Sequence, residues 1–331
     1  MNKQLSNWLK TFLFFAIGAF FVYRASMTVD LAEVWEKMEA ANYWWVLLSM
    51  ALGYAAIISR GARWNIVLRS GGHPVGLWKA THAVGIGYMV NMGVPRLGEL
   101  ARATSLSQKS TAPMDQSLGT IVMERLIDIL FLGILLGLAF LTSFDELGQF
   151  MTMTSADTSS EGGESSSMNL LWILMAVGVV CLGLFFIFRK RILATALGQR
   201  LSMFMEGLWQ GFRQIQNLDN PWGFWGHSVL IWTCYFFMIY TPFMAMEFSS
   251  GLMPDEALFV MVAASLGVIF PGPAAGVGIY HLLVSNAFVI LGYDRADGMS
   301  MATIVHTSQL LLLIGSGVVG LIGLSRVPNK S

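Results

Sequence analysis

The chain has 331 residues, 55% of them hydrophobic and only 12% charged, whereas soluble domains carry about 25% charged residues. That composition describes an integral membrane protein whose polar remainder is too short for a separate catalytic domain. The 20 basic and 20 acidic residues cancel, so no nucleic-acid partner is expected.

A helix crosses the hydrocarbon with about 20 apolar residues. Lys3 and Lys10 flank the first such stretch, 8–27. No A-x-A-like site follows it, so it reads as a retained span rather than a cleaved signal. Further spans are expected at 42–60, 117–142, 169–188, 226–247 and 301–324. Two other regions, 74–112 and 252–292, are apolar but interrupted. The first contains Pro95-Arg96-Leu97-Gly98-Glu99, followed by Arg102. The second contains Pro271-Gly272-Pro273-Ala274-Ala275-Gly276-Val277-Gly278, followed by His281. Broken backbone survives at membrane depth only where protein or a wet cavity satisfies the freed N–H and C=O groups.

Charge sets the orientation. Asp30, Glu33, Glu36 and Glu39 outnumber Lys37 in 28–41, and 143–168 has acidic residues but no Lys or Arg, so both face outward. Arg60, Arg63, Arg69 and Lys79, the cluster Arg189-Lys190-Arg191, and the tail with Arg326 and Lys330 face inward with both termini. Tracing the chain between these sides puts 61–116 inside at both ends and 248–300 outside at both ends. The expected fold is therefore an all-α polytopic membrane protein with six full spans and two oppositely oriented re-entrant hairpins. Residues 1–142 form one inverted repeat, 143–168 a flexible external loop, and 169–331 the second repeat. Such repeats place a transport site where the hairpin tips meet. Eight or more full spans would give the same loop sides, but the short arms favour re-entry. Residues 191–216 carry apolar side chains at helical spacing and read as a surface helix linking two spans. Cys181 and Cys234 lie in separate apolar runs and read as packed thiols.

Span 117–142 opens with Glu124, Arg125 and Asp128. Each would cost about 2.5–3.5 kcal/mol if unpaired at the membrane centre. Glu124 and Asp128 share a face and repel, Arg125 and Asp128 are spaced to pair, and Glu124 is left needing Arg96 or Arg102. A structural charge cluster near the interface is the plainer reading. On a helix restarted after Pro95, Glu99 and Arg102 share a face, and an Arg fork suits phosphate. Arg60 and Arg63 are most simply anchors at the inner membrane face, with headgroup contact as the functional alternative. His281, and His306 on the last span, are packed histidines or proton carriers. Tyr43, Trp44, Trp45, Trp64, Trp222 and Trp225 suit interfacial belts. No catalytic triad, phosphate loop or metal-ligand spacing appears, so neither enzyme chemistry, a metal nor a cofactor is expected.

Arg60-x-x-Arg63-Trp64, Pro95-Arg96-x-Gly98-Glu99-x-x-Arg102, Glu124-Arg125-x-x-Asp128 and the Pro/Gly-rich 271–278 together resemble the lysylphosphatidylglycerol synthase transmembrane, or flippase-like, family. The resemblance runs over nearly the whole chain. It implies a bacterial or archaeal membrane protein that moves a phospholipid or polyprenyl-linked lipid between leaflets. Members that make the aminoacyl lipid carry a transferase domain after the spans; this sequence ends at Ser331, so transport without synthesis is expected. Ala275 stands where the family's second motif has glycine, and His281 stands near its acidic position. The expected substrate-contacting set is Arg60, Arg63, Arg96, Glu99, Arg102, Glu124, Arg125, Asp128, Pro271, Gly276, Gly278 and His281. Two other functions remain: a non-catalytic membrane partner of an envelope-lipid biosynthetic enzyme, and an ion-coupled small-solute transporter. A homo-oligomer is compatible with all three.

Overall fold

The computed structural model describes residues 29–94, 97–158, 217–269 and 276–328. The expected spans 8–27 and 169–188, the surface helix 191–216, Cys181, Arg96 and Pro271 lie outside that set. Among the described residues every regular element is helical. They are α1 (Leu31–Glu39), α2 (Tyr43–Ser70), α3 (Leu77–Gly93), α4 (Leu97–Ser107), α5 (Met114–Thr142), α6 (Phe144–Thr158), α7 (Pro221–Tyr240), α8 (Pro254–Ile269), α9 (Ile279–Ile290) and α10 (Arg295–Ser325). Two short 3-10 turns, Thr241–Ala245 and Glu247–Ser249, follow α7.

Four of these helices are long and apolar enough to cross a bilayer: α2, α5, α10, and α7 with the turn that extends it to Ala245. They coincide with four of the six expected spans. The intervening helices are shorter. At 1.5 Å per residue, α3 with 17 residues reaches about 25 Å and α4 with 11 about 16 Å. The 16 residues of α8 reach about 24 Å and the 12 of α9 about 18 Å. A hydrocarbon core is about 30 Å thick. The order long, short, short, long therefore occurs twice, over α2–α5 and over α7–α10.

The same end devices recur in both sets. Asn42 caps α2 by accepting from the Trp44 N–H, and Asn220 caps α7 by accepting from that of Gly223. Helix α2 closes with the His73 N–H on the Leu68 carbonyl across Gly72, and α9 with the Tyr293 N–H on the Phe288 carbonyl across Gly292. The Asn65 side chain then accepts from the Val75 and Gly76 N–H groups, which turns the chain back into α3.

Two large apolar cores, with smaller clusters beside them, result among the described residues. One, including Ile57, Trp64, Val84, Ala103, Leu106, Ile121 and Leu324, lies between α2, α3, α4, α5 and the end of α10. The other, including Phe243, Phe259, Tyr280, Leu283, Phe288, Met301 and Val305, joins α8, α9 and the start of α10. Helices α3 and α10 touch almost backbone to backbone, with Gly85 on Ser316, Gly317 on Met89 and Gly320 on the His82 carbonyl. Acidic segment 28–41 contains α1, which Lys37 ties to Asp297 at 2.6 Å. Burial pushes the Lys37 ammonium down, but its hydrogen bonds and charge contacts with Asp297 and Glu33 outweigh that and raise its pKa. Residues 143–158 also differ from the loop expected there. They form α6, because Phe150 is buried edge-on against Phe259 of α8 and gives the segment a core to pack on.

Candidate functional site

The described ionisable residues of the first motifs converge in one place. Arg60 and Arg63 project from α2, Glu99 and Arg102 from α4, and Glu124, Arg125 and Asp128 from α5. Arg102 grips Glu124 with two parallel bonds of 3.0 Å, one to each carboxylate oxygen. Asp128 is shared: Arg60 donates to one oxygen at 2.8 Å and Arg63 to the other at 3.0 Å. Charge-assisted, forked bonds of this kind are the strong class, and they are also what makes burial of the charges tolerable.

Helix α5 begins at Met114, ten residues before Glu124, so Glu124 lies about 15 Å along the helix rather than one turn inside it. The cluster therefore sits at mid-helix depth. Arg60 and Arg63 are likewise not interfacial anchors, being 3% and 0% exposed, because α2 continues beyond them to Ser70. Arg63 also donates to the Ser228 hydroxyl of α7 at 3.1 Å. Arg125 and Asp128 are 3.8 Å apart, too far for a hydrogen bond; Arg125 instead donates to Glu99 at 2.8 Å.

Aromatic side chains complete the shell. Trp64 is fully buried, so it belongs to the core and not to an interfacial belt. Its indole N–H donates to the Thr120 hydroxyl at 2.9 Å, and its ring lies 3.8 Å from the Arg102 guanidinium. Tyr43, Trp44, Trp45 and Trp222 are exposed, as the belt reading requires. Arg60 donates to Tyr235 at 3.3 Å, and Tyr235 lies 3.2 Å from Tyr88, hydroxyl to hydroxyl. Tyr88, Tyr235 and Asn91 are not among the expected contacts; their only mark in the sequence is that they are polar groups inside apolar helices. Asn91 accepts from the Gly98 N–H at 2.7 Å and fixes where α4 starts against α3. A Cβ on Gly98 would strike the Gly87 carbonyl, so both glycines are needed for that approach.

Between α3, α4 and α5 lies a small cleft lined chiefly by Arg60, Tyr88, Asn91, Glu99, Arg102 and Arg125. Its free space is about 10 Å³, roughly one water. Glu99–Arg125 is the most exposed ion pair of the cluster, with side chains 29% and 43% exposed. All four oxygens of Glu124 and Asp128 already accept from arginines, so in this conformation these carboxylates hold the arginines in place.

The second motif is separate. Gly276 and Gly278 have φ of +78° and +90°, conformations costly for other residues. Gly276 meets the Gly267 carbonyl of α8, bringing the start of α9 against α8. The Gly278 N–H donates to His281 Nδ1 at 3.4 Å. The His281 ring stands 5.1 Å from that of His306, which stacks on Tyr280 at 4.5 Å. Among the described residues no group of three His, Cys, Asp or Glu side chains could hold a metal ion.

A model of the lysylphosphatidylglycerol synthase TM region matches residues 11–317. The chain belongs to that family. No curated protein and no solved structure matches it. As a member of the lysylphosphatidylglycerol synthase TM family with at least four spanning helices, it is a multi-pass membrane protein. The motif residues that carried the family resemblance are largely those that meet in the charged cluster.

Proposed function

We propose that this lysylphosphatidylglycerol synthase TM family member is a flippase-like transporter that moves a phospholipid or polyprenyl-linked lipid between leaflets. The carrying observation is the set of buried arginines, Arg60, Arg63 and Arg102, two of which line a cleft at mid-helix depth. Buried cations there serve no packing purpose that Leu or Met could not serve, but they suit a passing phosphate. The doubled long–short–short–long order supports two re-entrant hairpins of opposite sense, α3–α4 and α8–α9, in an inverted repeat. Residence in the inner membrane, cytoplasmic termini and action without catalysis belong to the same reading. The lipid phosphate contacts Arg96 or Arg102, while Glu124 and Asp128 position the arginines.

Leaflet-resolved lipid movement in reconstituted vesicles is the test. The wild type moves lipid, and Arg102→Lys, which keeps the charge but loses the fork, slows it. Absence of movement in every imposed gradient overturns the proposal. A second reading, a non-transporting partner of an envelope-lipid enzyme, draws support from the water-sized cleft. Cysteines placed near Gly98 and Gly276 discriminate: they label from water in a transporter and stay unreactive in a scaffold.

A further inference from the structure

Charges around the cleft do not balance. Arg60, Arg63, Arg102 and Arg125 face Glu99, Glu124 and Asp128, an excess of one positive charge among the described residues. The Nε–H groups of Arg60 and Arg102 are buried without an acceptor. Both residues line the cleft. A positive charge with unused donors in a low-dielectric site calls for an anion carrying several acceptor oxygens. A phosphodiester monoanion supplies one compensating charge and two such oxygens.

One wall of the cleft already carries an anion in place of a ligand. Glu99 gives a single oxygen, Oε1, to Arg125, and its Oε2 is buried with no hydrogen-bond partner. Glu124 and Asp128, by contrast, have both carboxylate oxygens bound by arginines. The Glu99–Arg125 pair is thus the weakly made contact of the cluster and the one nearest solvent. Partly exposed single-bond pairs contribute only about 0.2–1 kcal/mol.

We infer that Glu99 is a tethered competitor for the anion: it occupies Arg125 in the closed cleft, and a phosphate group displaces it to lie between Arg125, Arg60 and Arg102. This rests on the transporter reading for the source of the phosphate, but the competition itself is a binding property. Displacement leaves Glu99 free to turn to solvent, and it widens a space that otherwise holds about one water.

The test is calorimetric titration of the full-length protein in neutral detergent with three probes: dihexanoyl phosphatidylglycerol, dihexanoylglycerol and inorganic phosphate. Glu99→Gln tightens binding of a phosphate-bearing probe about 1.4- to fivefold, the range a 0.2–1 kcal/mol competitor allows. Glu99→Asp, whose carboxylate reaches less far, gives a smaller gain and guards against misfolding of the first variant. In an Arg125→Gln background Glu99→Gln gives no gain, because nothing is left to compete for. Binding of phosphatidylglycerol alone assigns the site to a lipid headgroup, binding of inorganic phosphate as well assigns it to the free anion too, and both support the inference. It is overturned if no phosphate-bearing probe binds, if Glu99→Gln leaves affinity unchanged, or if the gain persists without Arg125, which would reduce Glu99 to a through-space charge. Vesicle transport by the wild type is scored separately, so lipid movement without competition sinks this inference alone.

Discussion

Glu124 is 1% exposed, and both its oxygens are bound by Arg102. Removing Glu124 leaves Arg102 buried without its carboxylate, and removing Arg102 leaves Glu124 only the 3.8 Å contacts of Arg60 and Arg63; breaking a buried pair typically costs about 3–5 kcal/mol. Glu124→Leu and Arg102→Met should each sharply lower the thermal midpoint in detergent, while the double variant recovers most of the loss. A double variant as unstable as the worse single one would show that the pair does more than neutralise itself. Trp64→Phe removes one buried hydrogen bond to Thr120 and is expected to cost about 1 kcal/mol by the same measurement. The Arg102–Glu124 pairing was legible because two carboxylates four residues apart repel, which forces one to look elsewhere. Arg60 and Arg63 were not read as buried because Arg69 and Lys79 follow them and imitate a helix end. Only the length of α2, about 15 Å beyond Arg60, moves them inward.

At the scale of elements, hydropathy located the four long helices because a crossing segment must be apolar along most of its length. The breaks in α3–α4 and α8–α9 were legible from Pro and Gly alone. What sequence could not convey was the use of the glycines in packing. Gly98 is buried on Gly87, and no local pattern distinguishes that from a glycine that simply loosens a turn. Gly98→Val should therefore abolish folded protein, whereas Gly93→Ala, whose added Cβ would meet no described atom within 4 Å, should be tolerated. Gly276→Ala combines a φ of +78° with a clash on the Gly267 carbonyl. The backbone conformation alone is expected to cost about 1–2 kcal/mol, read as reduced thermostability and lower extraction of monodisperse protein. Helix α6 was missed because Ser and Thr in 152–158 look like loop, while its reason for folding, Phe150 on Phe259, lies a hundred residues away.

For the whole molecule, charge asymmetry predicts which ends of the helices share a side. Trp35→Cys in α1 should react with a membrane-impermeant maleimide on intact cells, and Ser110→Cys only after permeabilisation. Reaction of both from the same side would refute the traced topology. The contact between α3 and α10 has a mechanical meaning. One helix comes from the first long–short–short–long set and the other closes the second, and Gly85, Gly317 and Gly320 bring them together with little side-chain bulk between them. Sliding α3 along α10 would drive these glycines against carbonyl groups and the Met89 side chain, so this contact resists relative movement of the two sets. Access to the cleft is therefore expected to change by movement of α5, which Arg and carboxylate contacts clasp to α2 and α4.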